Sequence, residues 1–280
     1  MRHQLLPILV FVIFGCKNPT TDTISQKQDT VRTMKPIDYD WKQIKESGKL
    51  KALIDNNSTS FFIYRGQSLG FEYELLQKFC DEHELELDLI ITNDIPVSIE
   101  KLNKGEGDII AHKLTITKER NEQVKFTKPH YLVKQVLVQR KPDNWRKMKL
   151  HEIDRTLIQN PVELIGKEVM VRKGSAYVER LKNLSEEIGG QITITEMDLE
   201  TEELIKMVAD GEIKYTVADD DIAKVNTVYY DNIDVGTQIS FSQRIAWALR
   251  SNSEQFQDVL NNWLTNLQAE PTFNVIYNKY

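Results

Sequence analysis

From Lys49 to the end of the chain, short apolar runs with the period of a strand alternate with stretches spaced like the buried face of a helix. Leu50–Asp55 reads as a buried strand, Gly70–His83 as a helix with Phe71, Leu75, Leu76, Phe79 and Cys80 on one face, and Leu85–Ile91 as a strand. Pro96–Asn103 is a short helix, Asp108–Ala111 a strand after the Gly105–Gly107 turn, and Val133–Arg140 one long strand. A second series follows. It has strands in Gly166–Gly174, Gln191–Thr195 and Tyr215–Ala218, helices at Ser175–Ile188, Glu200–Ala209 and Asp220–Val225, then Ile233–Phe241, Ile245–Arg250 and two closing helices. Such alternation predicts a mainly parallel sheet with helices on both faces. Two series with a returning last segment predict two lobes joined by crossing strands near Val133–Arg140 and Thr227–Val235. The expected division is lobe 1 over about 41–135 and 230–280, and lobe 2 over about 136–229. Ligands of open α/β sheets sit beyond the carboxyl ends of the strands, here the cleft between lobes.

The first 40 residues do not share this pattern. Arg2 and His3 precede an apolar run, Leu5–Phe14, too short to span a bilayer, which needs about 20 residues. That run fits an export signal over residues 1–16. Gly15-Cys16 at its end resembles a bacterial lipobox, which would make Cys16 a lipid-carrying first residue and hold the chain to a membrane facing the periplasm. Residues 17–40 are polar and predict a disordered tether.

Composition removes several classes of function. The net charge is −6, the reverse of a general nucleic-acid binder. The two cysteines, Cys16 and Cys80, are no disulfide framework, and Cys80 reads as a small buried hydrophobe. The five histidines show no metal-ligand spacing, so neither a metal nor another cofactor is expected.

Gly107–Tyr131, GDIIAHKLTITKERNEQVKFTKPHY, carries a GD strand, a T-x-T-x-x-R turn and a V-x-F-T-x-P run before Tyr131, with His130 inserted. It resembles the signature of the family 3 solute-binding proteins, which bind polar amino acids. Gly70–Phe79, Gly166–Ala176 and Thr216–Ala223 are similar to other segments of that family. The resemblance implies a two-lobed fold of the type II periplasmic-binding-protein kind. Within it, Ser58–Leu75, the YTVADDDIA loop, the IAWALR strand and the terminal YNKY are similar to the N-terminal module of membrane-bound lytic transglycosylase F. That enzyme's catalytic domain is marked by a Glu-Ser pair followed by a Gly- and Gln-rich run. The only Glu-Ser here is Glu46-Ser47, with no such run, so no catalytic residue is expected in this chain as it stands.

What the resemblance implies for the site is specific. Arg120 would grip a ligand carboxylate, Thr115 on the same turn would add a hydroxyl and an N–H, and Asp219 on the opposite lobe would take the α-amino group. Ser175 at a helix start offers an anion-friendly corner as well as a plain helix cap, and Ser60 is a further candidate contact. Of Asp219, Asp220 and Asp221, one would face the ligand while another caps the next helix. Lys113 stands where small residues are usual, beside His112; either the ligand carries a second acid group or Lys113 turns outward. Ala176 lacks a hydroxyl common at that place.

The reading is a membrane-anchored sensory module that binds an amino acid or small cell-wall peptide and is related to regulation of a lytic transglycosylase. Peptidoglycan or a transport permease would be its larger partner. The alternatives are a transport receptor for amino acids and a transglycosylase fragment without its catalytic domain.

Overall fold

The computed structural model describes residues 35–280. The export-signal and lipobox readings, with Cys16, and most of the tether lie outside those residues. The chain order is α1 (Trp41–Ser47), β1 (Lys49–Ile54), β2 (Phe62–Tyr64), β3 (Gln67–Leu69), α2 (Phe71–Glu82), β4 (Glu86–Ile91), α3 (Ile95–Lys104), β5 (Ile109–Thr115), α4 (Lys118–Asn121), β6 (Val124–Phe126), β7 (Tyr131–Val133) and β8 (Gln135–Arg140). It continues with α5 (Leu150–Asp154), β9 (Glu168–Arg172), α6 (Ala176–Glu187), β10 (Thr193–Met197), α7 (Thr201–Asp210), β11 (Tyr215–Asp219), α8 (Asp220–Tyr229), β12 (Ile233–Asp234), β13 (Gln243–Arg250), α9 (Glu254–Ala269) and α10 (Pro271–Tyr277).

Two sheets define two lobes. The first runs β4-β1-β5-β13-β6, with β7 also paired to β13; β1 is parallel to β4 and β5, and β13 antiparallel to its neighbours. The second runs β10-β9-β11-β8-β12, parallel through β9 and antiparallel at β8. The central strands of each sheet are buried on both faces and read as near-continuous apolar runs such as Ala52–Ile54 and Val136–Val138. Helix α2 presents Leu75, Leu76, Phe79 and Cys80 to the first core, while α6 presents Tyr177, Leu181 and Leu184 to the second. Cys80 is fully buried, and burial pushes its thiol up to about 12, as suits an inert core residue.

The crossings between lobes differ from expectation in detail. Val133–Arg140 is not one strand: β7 belongs to the first sheet, β8 to the second, and Lys134 is the break. Its backbone pairs with Asp220 instead of a strand. The Lys134 N–H donates to Asp220 Oδ1 at 3.0 Å, and the Asp220 N–H donates to the Lys134 carbonyl at 2.8 Å. The return crossing lies later than Thr227–Val235. Thr227 is inside α8, β12 pairs with β8, Gln238 bridges to Val136, and the Gln135 N–H donates to Ser240 Oγ at 2.9 Å. Residues 230–240 therefore pair with the second lobe, and the chain returns between Ser240 and β13.

Two glycines sit where lobe 1 leaves no free space for a side chain. Gly70 precedes α2 with φ +133, and a Cβ there would lie 2.1 Å from the Ser60 carbonyl oxygen. A Cβ on Gly107 would lie 2.6 Å from the buried Leu53 side chain, which would have to shift to admit it.

Candidate ligand-binding site

The site begins at strand ends. β1 delivers Asp55, β5 ends at Thr115, β9 ends at Arg172, and β11 ends at Asp219, the carboxyl-end positions where an open α/β sheet leaves side chains free to face a ligand. Between the lobes these residues line a cavity of about 630 Å³, counting its open mouth, together with Lys113, Arg120 and Ser175. The structure thus brings Arg120, Thr115, Asp219, Ser175 and Lys113 into one cavity. Ser60 is not among its lining; it lies in a neighbouring cavity that shares Lys113.

Thr115 is the last residue of β5 rather than part of the turn, and Arg120 sits in the short α4, which Thr117 caps by accepting the Arg120 N–H at 3.2 Å. The Arg120 guanidinium is 8% exposed and donates to the Thr115 carbonyl at 3.0 Å and, across the cleft, to the Gly174 carbonyl at 3.4 Å. Both partners are neutral, so the charge is not spent on an acid, and neither Glu119 nor Glu122 takes it up as an ion pair. Burial pulls its pKa below the usual value, with nearby acids opposing, and the group stays protonated at ordinary pH.

Asp219 faces it from the second lobe. It is 4% exposed, its Oδ1 has no hydrogen-bond partner, and its N–H donates to the Tyr177 hydroxyl at 3.2 Å. Burial raises its pKa to about 7, with Asp221 and Asp220 adding and Lys113 opposing. The three consecutive aspartates divide their work. Asp219 faces the cavity, Asp220 holds Lys134, and Asp221 pairs with Lys113. Asp219 occupies the N-cap position of α8 without a side-chain cap bond. Ser175 likewise stands at the N-cap of α6 but donates its hydroxyl to the Arg172 carbonyl at 2.6 Å, so its side chain is no cap.

Lys113 does not turn outward. It stays in the cleft, nearly buried, with its charge matched by Asp221 of the other lobe. His112 is not in the cavity lining; it lies against Ser98, with burial pulling its pKa down to about 4.

Asp55, Arg172 and Glu200 were not singled out in the sequence. Asp55 Oδ2 accepts from Asn57 at 2.7 Å, while its buried Oδ1 has no partner. Arg172 pairs with Glu200 at 3.0 Å. The signal for Asp55 was available in its place at the end of the first strand. Arg172 and Glu200 meet only through folding. Ser58 adds a tie between lobes, its N–H donating to Glu202 at 3.0 Å. Among the described residues, no group of three His, Cys, Asp or Glu side chains is placed to hold a metal ion.

A buried guanidinium on one lobe and a buried carboxylate on the other thus line one cavity at strand ends, and residues 50–280 match the bacterial extracellular solute-binding proteins, family 3. The chain belongs to this family. Family 3 relatives include the membrane-bound lytic murein transglycosylase F of Desulfosudis oleivorans, 32% identical over 240 residues that cover 86% of this chain and 50% of the relative. The enzyme of the same name from Pseudomonas fluorescens strain Pf0-1 is 26% identical over 241 residues, 85% of this chain and 47% of the relative. The chain spans about half the length of these curated relatives. Among solved structures, an ancestral arginine-binding protein bound to arginine superimposes with TM-score 0.70 at 21% identity, covering 83% of this chain and 98% of that one. A mutant of the arginine-binding protein of T. maritima gives TM-score 0.71 at 21% identity, covering 85% and 97%. The fold is therefore the type II periplasmic-binding fold. Membership in an extracellular family and likeness to membrane-bound enzymes point to the cell envelope, and among the described residues no helix is long and apolar enough to cross a membrane.

Proposed function

We propose that the interlobe cavity binds a zwitterionic amino acid, or a small peptide that carries such a group, with its carboxylate on Arg120 and its α-amino group on Asp219. One observation carries this reading: a buried guanidinium bonded only to carbonyls faces, across one cavity, a buried carboxylate with an unpartnered oxygen. A ligand with an ammonium and a carboxylate on one carbon satisfies both and draws the lobes together. Thr115 and Ser175 flank the carboxylate end. The unpartnered Oδ1 of Asp55 favours a further donor on the ligand, and the Lys113–Asp221 pair removes the need for a second acid group.

The wider role that fits is a sensory module, held to a membrane through Cys16, that reports a small wall-derived ligand to a lytic transglycosylase. Its support is the match to one half of the transglycosylase F relatives. A transport receptor is the second reading, favoured by the likeness to a solved amino acid ABC transporter substrate-binding protein bound to L-arginine, TM-score 0.70 at 17% identity.

A thermal-shift screen of the purified protein against amino acids and cell-wall peptides tests the binding reading. Ligand at 100 times its Kd adds about 2.7 kcal/mol, a midpoint rise of roughly 5–10 °C for a chain of this size. A rise that Arg120→Ala abolishes supports it. No rise with any zwitterion, or one that survives Arg120→Ala, refutes it.

A further inference from the structure

A second cavity of about 500 Å³, counting its open mouth, adjoins the first and shares Lys113 with it. Four aromatic side chains line it: Phe71 at the start of α2, Tyr131 of β7, and Tyr277 and Tyr280 from the end of the chain. Two carboxylates reach it, Glu72 and Asp221, against one ammonium, that of Lys113. Asp221 is matched by Lys113. Glu72 is fully buried and held by other means. Its Oε2 accepts from the Trp247 indole at 2.6 Å, its Oε1 from the Tyr131 hydroxyl at 3.1 Å, and the His130 imidazole stands 3.4 Å away. The His130 contact is an ion pair only when the imidazole is protonated, and among the described residues no lysine or arginine pairs with Glu72. A carboxylate withdrawn from water gains most from a positive charge placed beside it.

We propose that this second cavity is a binding site for an organic ammonium ion, separate from the amino-acid cleft. Aromatic faces attract a cation within about 6 Å of the ring centroid. The Lys113 ammonium already stands 5.9 Å from the centroid of Tyr131, so one cation–π contact is in place at the edge of the cavity. Tyr277 is partly exposed, which opens the rim to solvent beside α10. Thr59 and Ser60 add hydroxyls on the opposite wall, and Ser60 Oγ is oriented by accepting from Asn57 at 3.1 Å. This assignment gives Ser60 a place in binding, though not in the cleft where the sequence put it.

Calorimetric titration with phenethylammonium and its neutral counterpart 2-phenylethanol tests the proposal on the full chain. The cation is expected to bind at least tenfold more tightly than the alcohol. Glu72→Gln should weaken it at least tenfold, and Tyr277→Leu, at the exposed rim, at least threefold, the second change serving if the first fails to fold. Asp219→Asn should leave it within twofold. Equal binding of the two probes, or no binding of either, overturns the proposal. So does a cation affinity that falls in Asp219→Asn and holds in Glu72→Gln or Tyr277→Leu, because the probe then sits in the interlobe cavity.

Discussion

Lys113 of β5 and Asp221 of α8 form an ion pair across the cleft, and the Lys113 side chain is only 5% exposed. Burial alone would lower the Lys113 pKa. Asp221, with Asp219 and Asp55, outweighs it, and the net direction is upward. The pair therefore holds the two lobes together as well as separating two cavities. Lys113→Met should destabilise the protein by about 1–2 kcal/mol, less than a fully buried pair because the Asp221 side chain is about a third exposed. It should also shift the lobes toward a more open arrangement. Urea unfolding and small-angle scattering measure the two effects; an unchanged midpoint with an unchanged scattering curve would contradict both.

Asp219 makes the ligand-free protein sensitive to pH. Its folded pKa, about 7, is above the ordinary 3.8, so between those values the folded state binds more protons than the unfolded one. Its contribution to stability is present below about pH 4 and is lost as the pH rises through 7. Asp219→Asn should remove that loss, leaving the variant more stable than wild type by roughly 1–3 kcal/mol at pH 8 and similar to it near pH 4. Thermal unfolding across this range decides the matter, and parallel curves would rule out the raised pKa.

Binding should show the opposite slope. An ammonium ligand needs Asp219 ionised, so affinity for a zwitterion should rise between pH 5 and 8 as that carboxyl loses its proton. Arg120→Ala should weaken binding by about 2–4 kcal/mol, roughly 30- to 1,000-fold, because it deletes a buried charge-assisted contact. Arg120→Lys keeps the charge without the fork and should recover only part of it. Titration calorimetry with the ligand from the screen reads both changes; affinity independent of pH and of Arg120 would dismiss the assignment.

Gly70→Ala should be among the most damaging small substitutions. The added carbon would meet the Ser60 carbonyl at 2.1 Å, and that backbone is held by the Phe71 N–H donating to the Thr59 carbonyl at 2.7 Å. A positive φ adds to the clash, so a loss of about 3 kcal/mol or more is expected. Denaturant melting checks it, and a loss below about 1 kcal/mol would mean that the loop yields easily.

Periodicity made the alternation of strands and helices legible, since β1, α2, β4 and α3 lie where the apolar spacing put them. The β2–β3 hairpin was missed because its strands are short and largely exposed, so no burial pattern marks them. Its turn signal was local: Arg65 at φ 50 followed by Gly66 at φ 79. The crossings were displaced because the length of an apolar run does not reveal which sheet it joins. Nothing in Val133–Arg140 shows that Lys134 pairs with Asp220. The family motif led to Arg120 and Asp219, but the partner of Lys113 is 108 positions away and became visible only in the fold.

The first turn of α8 carries a further consequence. Asp219, Asp220 and Asp221 follow one another in the chain, yet one opens on the cavity, one clasps the crossing strand and one reaches the other lobe. The three backbones are consecutive, so a displacement of this turn as a whole carries all three carboxylates with it. Occupancy, hinge torsion and lobe closure thus share one stretch of backbone, and a shift of that stretch by any one of them is passed to the other two.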